Sequence, residues 1–169
     1  MTLQKFISRL NWRQIVIHFV SSSFFVYAFK TLAYLYDTKF LDHLRRYKQG
    51  YKIEGVDNIH YSSTDFITFL RVPLYSAMAG LLVAFLISLL ISIRQKWSWF
   101  NSLITFLLTY FLYRFDLLGW DYLNKIFLSF GQLFSNTFVE FLLNGTLMLT
   151  IGVLLFFLRP LMRFIDKKK

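Results

Sequence analysis

The chain has 169 residues and a formal net charge of +10; 56% of its residues are hydrophobic and 17% are charged. A typical soluble domain carries about 25% charged residues, so this chain has too little polar surface to cover a globule in water. The same composition excludes a disordered protein, and the absence of cysteine excludes disulfide bonds and cysteine-ligated metals. We therefore expect a protein that is embedded in a membrane.

Four stretches of the chain are apolar enough to cross a bilayer, which takes about 20 residues for a hydrocarbon core of about 30 Å. They are predicted at about 15–36, 72–93, 97–113 and 138–158, and the third is shorter and more polar than the others. Lipid offers no partner to free backbone groups, so each span must be a helix. The fold class predicted is an all-α polytopic membrane protein, with residues 1–169 forming a single four-helix transmembrane domain.

The segments outside the spans are short. The largest is an outer loop at 37–71, too small to form a separate domain. At 2–12 and 121–135, apolar residues recur at helical spacing among basic or polar ones, which is typical of amphipathic helices that lie in the membrane surface. We predict an interfacial helix at each place.

The charge distribution predicts the orientation. With four spans and the N-terminus inside, the inside segments hold ten basic residues and one acidic residue; the outside segments hold nine basic and eight acidic residues. The bias favours cytoplasmic N- and C-termini in the cell (inner) membrane. Basic residues near a membrane attract anionic lipid by about 1 kcal/mol each, so we expect anionic lipid at the basic termini. Topology accounts for the charge, and we do not expect nucleic acid as a partner.

A row of small residues, one in every four, follows the second span. It consists of Ser76, Gly80, Ala84, Ser88 and Ser92. Small residues let two helices approach closely, and helices in lipid associate largely by such packing. The row therefore predicts a helix-packing face, whose partner is another span of this chain or a helix of a second copy.

Hydroxyl side chains follow one face of the third span, at Ser102, Thr105, Thr109 and Tyr113. A helix surrounded by lipid would not keep such a face, so we expect it to point inward. Two interpretations stay open: hydrogen bonds between helices, or the wall of a polar pathway through the membrane.

Polar residues in the first and fourth spans are further candidates for that pathway. Lys30 either extends its ammonium group to the outer interface or has an inward ion-binding role, paired with Glu140. His18 is either a hydrogen-bonded structural residue or a proton sensor. Thr137 and Glu140 match a capping box at the start of the fourth span. Asn144 lies one turn beyond Glu140, and the two could contact an ion or a polar substrate.

Three functional hypotheses follow. The first is a small non-enzymatic membrane protein that packs with itself or with a membrane partner through spans two and three. The alternative is an oligomeric channel lined by the polar face of span three. The third is an enzyme that modifies lipid with Asp116, Asp121 and Glu140. The sequence contains no dinucleotide fingerprint, phosphate-binding loop or metal-ligand motif, and we expect no cofactor and no metal.

Overall fold

The structure, a computed structural model, describes residues 10–42, 63–118, 133–134 and 136–166. These residues form helices and turns, with no strand among them, as predicted. The described residues contain five helices: α1 Trp12–Ala33, α2 Ser63–Arg94, α3 Trp99–Arg114, α4 Thr137–Phe157 and α5 Arg159–Asp166. A 3-10 turn at Tyr34–Asp37 and a helical turn at 38–42 continue α1.

Within the described part of the chain, three helical stretches are long and apolar enough to cross a membrane: Trp12–Asp42, Phe66–Arg94 and Thr137–Phe157. They confirm that this is a helical membrane protein. The third predicted span corresponds to α3, which has 16 residues and rises about 24 Å. Because α3 is shorter than the hydrocarbon core, the fourth crossing stays a prediction.

Helix α1 lies at the centre and packs against α2, α3 and α4. Of the most apolar part of each candidate span, 61% is buried in Trp12–Asp42, which contains α1, against 39% in Phe66–Arg94 and 33% in Thr137–Phe157. Successive helices run in opposite directions, so that α1 and α3 begin at the end of the bundle where α2 and α4 finish. We call this the N-terminal end. Helix α1 provides the packing surface that α2, α3 and α4 share.

Aromatic, aliphatic and small side chains pack together in the apolar core. Phe25 of α1 packs with Ala84 and Ile91 of α2 and with Phe156 of α4. A separate cluster joins Val26 to α2. The outward sides of α2, α3 and α4 expose leucine, valine and phenylalanine, as expected for surfaces that contact acyl chains.

The ends of several helices differ from the sequence predictions. Helix α2 begins at Ser63 rather than at residue 72 and continues through Pro73, so part of the predicted outer loop is helical. The capping-box prediction is wrong. The N-cap of α4 is Asn136, whose side chain accepts from the backbone N–H groups of Phe138 and Val139, and Thr137 is instead hydrogen-bonded to Asp42. Asparagine is as good an N-cap as threonine, and local spacing does not distinguish the two.

Most of the predicted interfacial helices lie outside the described residues. Of the segment 2–12, residues 10 and 11 precede α1 and are not helical. Of the segment 121–135, Leu133 and Phe134 form a turn and a bend. A short helix that was not predicted, α5, follows α4 after a single extended residue, Leu158.

Candidate functional site: a buried polar cluster

Six polar side chains meet inside the N-terminal end of the bundle, each at most 1% exposed. We call them the polar cluster: Gln14, His18, Ser88, Ser92, Asn101 and Ser102. They come from the first two turns of α1, the last two turns of α2 and the first turn of α3. Burying polar groups is costly unless they are hydrogen-bonded, so the partners of each group decide what the cluster can do.

Gln14 holds three helices together with one amide. Its Nε2 donates to Ser92 Oγ of α2 at 2.7 Å, and its Oε1 accepts from Asn101 Nδ2 of α3 at 2.8 Å. The other amide atom of Asn101, Oδ1, lies 3.4 Å from the backbone nitrogen of Asn11. The donor and acceptor atoms of both amides are therefore engaged between helices.

The serine hydroxyls form a chain with one consistent direction. Ser88 Oγ donates to Ser102 Oγ at 2.8 Å, and Ser92 Oγ donates to the Ser88 carbonyl at 2.8 Å. Ser102 and Ser92 are 2.8 Å apart, and because Ser92 has already given its proton, Ser102 is the donor between them. Each hydroxyl has one proton to give. The directions of all three serine bonds are thus determined by their neighbours.

His18 lies at the start of this chain. Its Nδ1 is 2.7 Å from Ser88 Oγ, and since Ser88 donates to Ser102, Nδ1 carries the proton and donates to Ser88. The opposite nitrogen, Nε2, is then the bare acceptor. It is buried and has no hydrogen-bond partner in the described part of the structure. The ring centroids of Phe156 and Trp97 lie 5.1 Å and 6.1 Å from the ring centroid of His18.

Helix α5 covers the polar cluster at the N-terminal end. Ile165 is 2% exposed, and its carbonyl accepts from Asn11 Nδ2 at 3.2 Å. Trp97 Nε1 donates to Asp166 Oδ1 at 2.6 Å, and Arg13 Nη1 donates to the Phe164 carbonyl at 3.2 Å. These contacts attach α5 to α1 and to the turn between α2 and α3.

The small-residue row of α2 lies against α1 of the same chain. Ser76 Oγ donates to the Phe29 carbonyl at 2.9 Å, and a Cβ atom added to Gly80 would lie 2.7 Å from the Phe25 carbonyl oxygen. Ala84 is fully buried, while Ser88 and Ser92 belong to the polar cluster. The small-residue row is therefore a packing surface between helices of the same chain.

The hydroxyl face of α3 is also directed inward. Ser102 belongs to the polar cluster, and Thr105 and Thr109 are at most 1% exposed. Their hydroxyls donate to carbonyls one turn earlier in α3, at 2.9 Å and 2.8 Å. Tyr113 packs edge-on against Tyr27, with ring centroids 6.2 Å apart. The threonine hydroxyls are satisfied within α3 itself.

The candidate pathway residues at the opposite end are placed in two environments. Lys30 Nζ lies 5.8 Å and 5.9 Å from the ring centroids of Tyr27 and Tyr113. Glu140 and Asn144 are 3% and 0% exposed. Neither amide atom of Asn144 has a hydrogen-bond partner in the described residues.

The three acids of the enzyme hypothesis are partly described. Asp116 is exposed just beyond α3, with a φ of 55°, and Glu140 is buried in the first turn of α4. Asp121 lies outside the described residues. Of these two carboxylates, Asp116 is therefore accessible to a lipid headgroup, whereas Glu140 is buried inside the protein.

Sequence reasoning did not single out Gln14 or the Trp97–Asp166 contact. Gln14 lies one turn before His18, and this i, i+4 spacing was a usable signal, but the predicted span began only at residue 15. The Trp97–Asp166 contact joins residues 69 positions apart, and no local pattern predicts such a pair.

Comparison with known proteins gave no match: no family model, no curated protein and no solved structure is similar to this chain.

Proposed function

We propose that this protein is a non-enzymatic four-span protein of the cell (inner) membrane, with both termini in the cytoplasm. Its role is association within the bilayer, with a second copy or with a helix of another membrane protein. The observation that carries the proposal is the outward face of α4. Among the described helices, α4 makes its extensive contacts with α1, and it is the least buried of the three candidate spans.

The outward face of α4 contains the small pair Thr146 and Thr150, one turn apart and both exposed. Thr146 Oγ1 donates to the Leu142 carbonyl at 2.8 Å, and Thr150 Oγ1 donates to the Thr146 carbonyl at 2.8 Å. Both hydroxyls are thus satisfied in α4 and present only small, nonpolar surfaces. Two small residues four positions apart favour close approach of another helix.

The sequence predicted association through spans two and three. We place the association on the outward face of α4 instead, for a steric reason. The Ser76–Ser92 row of α2 is filled by α1, and the hydroxyls of α3 are buried in the same chain. A partner at either place would have to displace a helix of the same chain. We do not propose the channel, because a pore lined by span three requires those hydroxyls to face water between copies.

Cysteine cross-linking tests the proposal, because the chain has no cysteine of its own. Thr146→Cys and Thr150→Cys should cross-link in lipid nanodiscs to a dimer, or in native membranes to a second protein. The matched control is the exposed pair Leu82→Cys and Leu86→Cys on the outward face of α2, which should not cross-link.

A steric variant supplies the second test. Thr146→Leu combined with Thr150→Leu should reduce association, since the larger side chains keep helices apart. Dimers or adducts that form equally through the α2 control pair would overturn the proposed face. A protein that stays monomeric in nanodiscs and forms no adduct through α4 in native membranes would overturn the association itself.

A further inference from the structure

We propose that α5 is a binding surface for anionic phospholipid headgroups, and that Arg159 and Arg163 are its principal contacts. The proposal is independent of association through α4. It also goes beyond a general attraction of basic termini to lipid, because it assigns the binding to one docked helix and to two side chains of that helix.

Helix α5 has two distinct faces. Leu161 and Met162 are partly buried and Ile165 is buried against the bundle. Arg159 and Arg163, one turn apart, are exposed on the opposite face. Two guanidinium groups at this spacing can contact one phosphate or two neighbouring ones. The outward face of α5 therefore has the geometry and charge of a headgroup site.

Contacts with the rest of the bundle hold α5, and therefore its two arginines, in place. The extended residue Leu158 separates it from α4, so the chain changes direction where the last span finishes. Arg13 lies with its guanidinium carbon 4.7 Å from the ring centroid of Phe164 and also bonds the Phe164 carbonyl. With the bonds of Asn11 and Trp97 described above, α5 is attached at three points to the bundle.

Charge complementarity identifies the ligand. At the N-terminal end, the described residues include five basic side chains and a single acidic one: Arg13, Arg94, Lys96, Arg159, Arg163 and Asp166. At the opposite end, the described helices and turns contain four basic and five acidic residues. Among the described residues, the N-terminal end is thus the strongly positive one, as expected for a surface against anionic lipid.

Exposed aromatic side chains place this surface at the membrane interface. Trp12 and Trp99 are 61% and 58% exposed at the first turns of α1 and α3, and Phe164 of α5 is 49% exposed. Aromatic rings of this kind concentrate at the level of the headgroups. The arginines of α5 then lie at the depth of lipid phosphates, so the ligand is a membrane phospholipid rather than a phosphate in solution.

Thermal unfolding in detergent micelles titrated with lipid tests the proposal. Phosphatidylglycerol should raise the unfolding temperature, whereas phosphatidylcholine and inorganic phosphate should not. Arg159→Gln combined with Arg163→Gln should weaken the apparent affinity for phosphatidylglycerol about 30-fold, at about 1 kcal/mol per base. The double lysine variant at the same two positions should keep most of the binding.

The control is Lys39→Gln with Arg71→Gln, two exposed bases at the opposite end whose loss changes the net charge equally. This control should bind phosphatidylglycerol like the unmodified protein. Equal losses in both double variants would mean that only total charge matters, and would overturn the site. No preference for phosphatidylglycerol over phosphatidylcholine, or an equal response to inorganic phosphate, would overturn the headgroup assignment.

Discussion

Asn101 and Asn144 are chemically identical side chains with opposite structural roles. Asn101 donates to Gln14 at 2.8 Å and helps to connect α1 with α3. Asn144 is equally buried, but neither of its amide atoms has a hydrogen-bond partner among the described residues. Removing a buried partner leaves the other group unsatisfied, whereas removing an unpartnered group leaves nothing behind. The two positions should therefore respond differently to the same substitution.

Asn101→Leu should lower the free energy of unfolding by about 1–3 kcal/mol, because Gln14 Oε1 loses its donor. Asn144→Leu should leave stability unchanged or increase it, since two unsatisfied polar atoms are replaced by a similar apolar volume. Reversible unfolding in mixed micelles measures both. A loss at Asn144 as large as that at Asn101 would contradict this expectation and would indicate that a bound water or ligand satisfies the Asn144 amide.

At the scale of the elements, α1 packs most extensively against α2 and α4. Gly80 lies where α2 approaches α1 closely, and an added Cβ would lie 2.7 Å from the Phe25 carbonyl oxygen and 2.9 Å from Phe29 Cβ. The nearest atom belongs to the backbone of α1 and cannot rotate away. Any side chain at Gly80 therefore forces the two helices apart.

Gly80→Leu should destabilise the bundle by at least about 1–3 kcal/mol, the usual cost of overpacking. The matched control is Ala79→Leu, at the neighbouring exposed position of the same helix, which should be nearly neutral in detergent. Unfolding midpoints of the two variants provide the comparison. Equal midpoints would mean that α1 and α2 do not approach each other at Gly80.

The elements could be predicted from the sequence where a periodic pattern determined them. The row from Ser76 to Ser92 and the hydroxyls of α3 repeat at helical spacing, which predicts one continuous face on each helix, and in the structure both faces point inward. Helix α5 was not predicted, because eight residues are too few for a period to stand out, and its position depends on Trp97 and Asn11 far away in the chain. Asn136 is the N-cap of α4 because its backbone is extended and its side chain accepts from the first turn, and residue spacing does not encode this conformation.

At the scale of the whole molecule, the open question is whether α3 crosses the bilayer. Its contacts extend along the bundle: Ser102 bonds Ser88 at the N-terminal end, and Tyr113 packs against Tyr27 towards the opposite end. A helix of 16 residues rises about 24 Å, so the bilayer would have to thin by a few ångström beside it. The cost of that mismatch is a fraction of a kcal/mol per ångström, which the buried contacts of α3 can offset.

Cysteine accessibility in intact cells decides this point. Gln95 lies in the turn before α3, and Leu117 lies just after it and is 68% exposed. If α3 spans, Gln95→Cys should be protected from a membrane-impermeant maleimide until the cells are lysed, because the proposed orientation places the turn in the cytoplasm, whereas Leu117→Cys should react in intact cells. Labelling of both cysteines from the same side would mean that α3 does not cross. It would also place the two termini on opposite sides of the membrane, because three spans would remain. The basic residues at the N-terminal end of the bundle would then not all lie at the same membrane surface.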